Sequence, residues 1–284
     1  MTKGSKTSAG IWIVGIILFL FLLLRLTVPI IFNSLQTSGR EVRQKAQLLS
    51  IGMALEAFNS QFDHYPPSER LDPNGTPYCG AMKLAEAMVG RDFKGFDPNS
   101  LFNSEGKGQN GSFLYDPTGN LSFRKNFLSL EDASVYRIED IYNNFTTKNF
   151  ITGNLILTDR FHIVTNLNTG LRVGMPILYY RADPNKSSHD IDNPDNPDNT
   201  YNYKDNYDLL ALGVPGKPGV KHPLYEDPSL FYVMTQNYNI TSKSEPFNKD
   251  SYILISAGQD GLYGTKDDIT NFEYRWRPKE EIKK

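Results

Sequence analysis

Ile11–Phe32 reads IWIVGIILFLFLLLRLTVPIIF, an apolar run interrupted by Arg25 and Pro29. At about 1.5 Å per residue a helix of this length reaches about 33 Å, enough to cross a hydrocarbon core of about 30 Å. Arg25 falls in the C-terminal third, where its head can snorkel to the interface. Pro29 removes a backbone donor and sets a kink. Lys3 and Lys6 precede the run, as in a secretory signal. A cleaved signal, however, has an apolar region of about 7–15 residues and ends at small residues. This run is longer and no A-x-A-like triplet follows it, so the expectation is a retained single-pass anchor. Arg40, Arg43 and Lys45 follow it, so positive charge lies on both sides and does not set the orientation. A short leader before a long polar region favours the N-terminus inside and the bulk of the chain outside.

Outward from the anchor, the pattern stays helical. Leu48, Ile51, Leu55, Phe58 and Phe62 step by three or four, and Leu49, Met53 and Ala57 are read as widening the same stripe. His64-Tyr65-Pro66-Pro67 ends the helix, because a residue before proline is biased out of the α region. The division is a leader at 1–10, a transmembrane helix at 11–32, an amphipathic stem at 33–62 and a globular region at 63–284, with a loop-rich insertion over about 92–250.

The whole chain carries 39% hydrophobic and 22% charged residues, near the norm for a folded body. A net charge of −2 and the lack of a Lys/Arg run argue against a nucleic-acid partner. Cys79 is the sole cysteine, which excludes an intramolecular disulfide and a Cys-pair zinc site. A short helix is expected within Tyr78–Gly90, with Lys83 and Glu86 off its apolar face, and little regular structure over Asp92–Gly119. Ala133–Phe150 reads as a short helix plus turn. Strands are expected at Gly153–Thr165, Met175–Tyr180, Tyr252–Ser256 and Phe272–Trp276, which gives an α+β fold: the long N-terminal helix packed on an antiparallel sheet. Asp183–Asp208, with its Asp-Asn-Pro repeats, has little apolar surface to bury and reads as a mobile surface loop.

Ser256–Ile269, SAGQDGLYGTKDDI, follows directly on a strand. Its three glycines permit a tightly wound backbone that gathers Asp260, Asp267 and Asp268. Hard oxygen ligands on such a loop suit calcium; an EF-hand is excluded by the ligand order. The competing reading is a Gly/Asp-rich turn between strands.

These two ends together resemble the bacterial type IV pilin and type II secretion pseudopilin family. Ala54-Leu55, Phe58, Asp63, Tyr65 and Pro66 fill the family's ALxxYxxDxGxYP pattern at the end of the long helix. Ser256, Gly258, Asp260, Gly261, Gly264, Asp267, Asp268 and Ile269 match the SxGxDGxxG…DDI loop of major pseudopilins. The resemblance implies a structural calcium ion held by side chains of Asp260, Asp267 and Asp268 and carbonyls such as Ala257 and Thr265. It implies processing by a prepilin peptidase at Gly10-Ile11, although the fifth residue of the mature chain is Gly15, where the family has glutamate. It implies an inner-membrane location among lipid, a periplasmic domain, and partner subunits bound through the N-terminal helix.

No metal-hydrolase histidine spacing, G-x-S-x-G, P-loop or dinucleotide fingerprint occurs, and the chain is read as a non-enzyme. His64 and His162 are expected to be partly buried structural residues, His162 within a strand. The alternative function is a membrane-tethered periplasmic binding protein that does not polymerise, with glycans stacking on the Tyr201–Tyr207 stretch.

Overall fold

The structure is a computed structural model and describes residues 25, 36–116 and 122–276. Apart from Arg25, the anchor Ile11–Phe32 lies outside the described residues, as does the Gly10-Ile11 junction. Among the described residues no helix is long and apolar enough to cross a membrane. The chain divides into two compact units, Met1–Val42 and Arg43–Lys284. In the first, Arg25 and residues 36–42 are helical.

In the second, helix α1 covers residues 43–62. Asp63 then turns left-handed (φ +62°) and donates its N–H to the Asn59 carbonyl at 2.7 Å, a C-terminal cap, before the two prolines forbid continuation. Leu48, Ile51, Leu55 and Phe58 are buried as expected. Leu49, Met53 and Ala57 are not: Leu49 and Met53 are 65% and 61% exposed, and Ala57 is exposed with them. The buried face is rotated the other way, onto Gln44 and Gln47. Their amides serve backbone groups that have no strand partner. Gln47 Nε2 donates to the Thr158 carbonyl at 2.9 Å, and Gln44 Oε1 accepts from Arg160 N at 2.8 Å.

The architecture is α+β with small antiparallel sheets. The central sheet is β5 (Leu178–Arg181), β6 (Tyr252–Ser256) and β7 (Ile269–Thr270) in that order, with Leu178 opposite Ile255 and Ser256 opposite Ile269. The β1 (Val135–Arg137) and β2 (Leu155–Leu157) pair and the β3 (Val164–Thr165) and β4 (Arg172–Val173) pair complete it. The expected strand Gly153–Thr165 is therefore two strands. It breaks at Asp159, whose Oδ1 takes the N–H groups of Phe161 (3.2 Å) and Met175 (3.1 Å) and turns the chain out of the ladder. The edge strand is Ile269–Thr270 rather than Phe272–Trp276, and β1 is a strand where a helix and turn were expected. The α-helix nearby, α3 (Leu130–Ala133), capped by the Ser129 side chain, ends on the first residue of that segment, and inside it the chain forms 3-10 turns at Ile138–Asp140 and Phe145–Lys148.

Helix α2 (Gly80–Val89) packs against β2 and β5 and is buried over its whole length. Gly80 is required there, since a Cβ would collide with the Tyr179 carbonyl oxygen. Lys83 and Glu86, expected outside, are inside with their polar groups satisfied. Lys83 Nζ donates to the carbonyls of Glu69 (2.7 Å) and Leu71 (2.8 Å), and Glu86 accepts the hydroxyls of Tyr78 and Tyr115, both at 2.6 Å.

Segment 183–208 is pinned rather than solvent-borne. Tyr201 is fully buried, and its hydroxyl donates to the carbonyls of Phe247 (3.1 Å) and Asn248 (2.6 Å). Asp205, Asn206 and Asp208 are buried beside it, heading a 3-10 turn and α4 (Tyr207–Leu210). What holds the segment is mutual polar satisfaction, which a count of apolar residues does not register.

Candidate metal centre

The acidic loop leaves β6 at Ser256 and returns as β7 at Ile269. Gly258, Gly261 and Gly264 all have positive φ (+64°, +77°, +94°), a region open to glycine at little cost. At Gly258 the requirement is also spatial, because a Cβ would strike the Asp267 carbonyl. The winding brings the three aspartates within electrostatic reach of one another.

Asp267 sits across the loop. Its Oδ2 accepts the N–H groups of Gln259 (2.7 Å) and Asp260 (3.0 Å), and its Oδ1 accepts the Thr265 hydroxyl at 2.7 Å. Asp260, exposed at the rim, accepts from Leu262 N at 2.7 Å. Asp268 is 6% exposed. Its Oδ2 accepts from Gly264 N at 2.7 Å, while its Oδ1 is buried with no hydrogen-bond partner. Loss of hydration first, then the charge of Asp267, raises both carboxyls, Asp268 well above the usual carboxylate range. Ala257 is fully buried behind them, and the Thr265 carbonyl accepts from Tyr274 Oη at 2.9 Å and from Asp268 N at 3.4 Å.

Among the described residues no three His, Cys, Asp or Glu side chains converge tightly enough to form a ready metal cage. The loop thus gathers its carboxylates without closing them on a common point. Two observations nevertheless fit a hard cation: the orphaned, buried Asp268 oxygen, and three mutually repelling carboxylates with no Lys or Arg ion pair among the described residues.

The loop is clamped from outside by residues that the sequence does not flag. Leu224 N donates to the Tyr263 carbonyl (3.1 Å), Tyr263 N reaches His222 Nδ1 (3.4 Å), and Ser256 Oγ donates to Asp159 Oδ2 (2.9 Å). None of these contacts leaves a spacing or periodicity to read, since each joins residues about forty or more apart. The histidines also differ from expectation. His64 and His162 are exposed, and His162 precedes its strand with φ +56°. His189 and His222 are the buried pair. Tyr201, being buried, offers no stacking face for a sugar; Tyr203 and Tyr207 pack edge-on against each other at 5.9 Å.

No family model, curated protein or solved structure matches the chain.

Proposed function

We propose that the chain is a pseudopilin-like structural subunit of a type II secretion or type IV pilus-like assembly. In this reading it is anchored in a bacterial inner membrane, and calcium stabilises the exported domain. The observation that carries the reading is the outer face of α1. Ala46, Leu49, Met53 and Ala57 are all exposed and step by three or four, an apolar seam that nothing in its own globule covers. Such a seam is the pattern by which one helix receives another. The fitting occupant is α1 of a second copy. Chains anchored through Ile11–Phe32 in one membrane would present the same seam in the same direction, so each addition repeats the last contact. Small alanines flanking Leu49 and Met53, at Ala46 and Ala57, allow close approach.

In the loop, Asp260, Asp267 and Asp268, with the carbonyls of Ala257 and Thr265, would hold calcium. The ion supplies the positive charge that the three carboxylates otherwise lack, and ties Asp268 Oδ1 into the network.

Cysteine cross-linking in membranes tests assembly. The native Cys79 will not interfere: it is buried, and burial pushes its thiol up to about 12. Leu49→Cys and Met53→Cys chains are expected to form disulfide-linked dimers on mild oxidation, and an exposed cysteine away from the helix, at Lys217, none. Monomers alone at both seam positions would sink the filament reading in favour of a non-polymerising tethered protein. Sequencing the mature N-terminus is the companion measurement. A start at Ile11 supports pilin-type processing despite Gly15, and an intact leader counts against it.

A further inference from the structure

A cleft that shares no residue with the acidic loop opens between the 187–196 turns and the end of α6 (Ser229–Thr235), with Tyr238, Lys243 and Arg275 also on its walls. Its volume is about 810 Å³, within the range of about 300–1,000 Å³ typical of small-molecule sites.

The floor is preformed. His189 is 3% exposed; its Nε2 donates to the Tyr232 carbonyl and its own carbonyl accepts Ser244 Oγ, both at 2.6 Å. Burial pushes His189 down to about 4, so the ring is neutral at ordinary pH and brings no charge to the floor. The wall above it is stiffened by Asp190, whose carboxylate accepts from Asn193 N (3.0 Å) and Asn196 Nδ2 (3.2 Å).

The charges on the walls are mostly spent. Lys243 is paired with Glu245 at 2.5 Å, and Arg275 with Glu273 at 2.8 Å while lying over the Tyr238 ring. Little positive charge remains for an anion, and the Asp190 oxygens are occupied. The hydrogen-bonding groups left over are of another kind. The hydroxyls of Ser187 and Ser188, the Asp192 carboxylate and the Gln236 amide all line the cleft and have no side-chain partner among the described residues. Ile191 and Val233 add apolar surface between them. An array of acceptors and donors around small apolar patches, in a cleft with no unpaired cation, matches a ligand that carries many hydroxyls on a carbon ring.

We propose that this cleft binds a neutral glycan segment. Asp192 and Gln236 would take its hydroxyls, and Ile191 and Val233 its C–H face. The inference is independent of filament assembly, since the cleft shares no residue with the α1 seam.

Full-length protein in detergent, titrated by calorimetry with maltotriose, cellotriose and triacetylchitotriose, tests it, with inorganic phosphate and spermidine as charged probes. Saturable binding of at least one trisaccharide is expected. It should weaken at least about tenfold in Asp192→Ala, the loss expected when a hydrogen bond to a charged group is removed. It should also be lost in Ser187→Trp, which fills the cleft from an exposed position. Both variants alter exposed side chains, and unchanged melting confirms their fold. Absence of binding by all three sugars, binding that neither variant weakens, or saturation only by phosphate or spermidine would overturn the proposal.

Discussion

Asp159 and Asp205 are carboxylates enclosed in the protein with no salt bridge among the described residues, fully and almost fully buried. Burial is the main cause in both cases, pushing Asp159 up to about 7 and Asp205 to about 8 against the hydrogen bonds of Ser256 and Ser68. Both folded values lie above the unfolded one of about 3.9, so the native state keeps protons that the unfolded chain has released. Their contribution to stability is complete below about pH 4 and is lost as pH rises through 7 to 8. His189 and His222 run the other way. Burial lowers both to about 4, so their contribution holds above about 6.5 and fades as pH falls through 4. Between about pH 6.5 and 8 the slope therefore belongs to the buried aspartates, Asp159 and Asp205 together with Asp268 of the acidic loop, at about 1.4 kcal/mol per pH unit for each proton still held only by the native state. Thermal melts should show stability falling over that window, and Asp159→Asn should flatten part of the fall. An unchanged slope in the variant would refute the assignment. Gly258 makes a second prediction at this scale. Alanine there must take a left-handed conformation and push its Cβ into the Asp267 carbonyl, so Gly258→Ala should cost about 1–3 kcal/mol.

For α1 the contrast lies between two stripes on one helix. Ile51 is fully buried, and Ile51→Ala should cost about 2–5 kcal/mol in a denaturant or thermal melt. Leu49 is exposed, so Leu49→Glu should leave melting within about 0.5 kcal/mol while abolishing cross-linking through a cysteine at position 53. A variant that melts normally and still cross-links would show that the seam is not the contact. The helix was legible because its inner residues recur at three and four, and its end because Tyr65-Pro66 forbids more. The direction of the buried face was not, because Gln44 and Gln47 turn inward to serve the backbone at 158–160, where Asp159 interrupts the ladder. β6 was legible at Tyr252–Ser256 because its five residues form one branched and aromatic run, buried throughout. Gly153–Thr165 misled for the same reason: its apolar run continues through a turn that only the Asp159 hydrogen bonds reveal. At the site, the aspartates and glycines were legible as a set, while the clamps from Leu224 and Asp159 depend on contacts distant in sequence.

Across the globular unit, the acidic loop is fastened to three other regions, and its state should therefore be felt globally. Ser256 ties it to Asp159 beside α1, Tyr263 to the 222–224 turn, and the Thr265 carbonyl to Tyr274 near the C-terminus. β5, from the middle of the chain, pairs with the strand that carries the loop, so 92–250 is woven into the core that the loop completes. Without a cation, Asp260 and Asp268 each meet the charge of Asp267, and a buried oxygen goes unpaired. Calcium that binds only the folded chain would add about 2.7 kcal/mol at a hundred times its dissociation constant. Wild-type protein should therefore melt lower in chelator and recover with calcium. Asp260→Asn keeps an acceptor for Leu262 N and removes one of the repelling charges. In chelator it should melt no lower than wild type, while added calcium should raise it little. That crossing distinguishes a metal site from a merely structural turn. A turn would make wild type indifferent to chelator, and would make the loss or gain on Asp260→Asn the same with and without calcium.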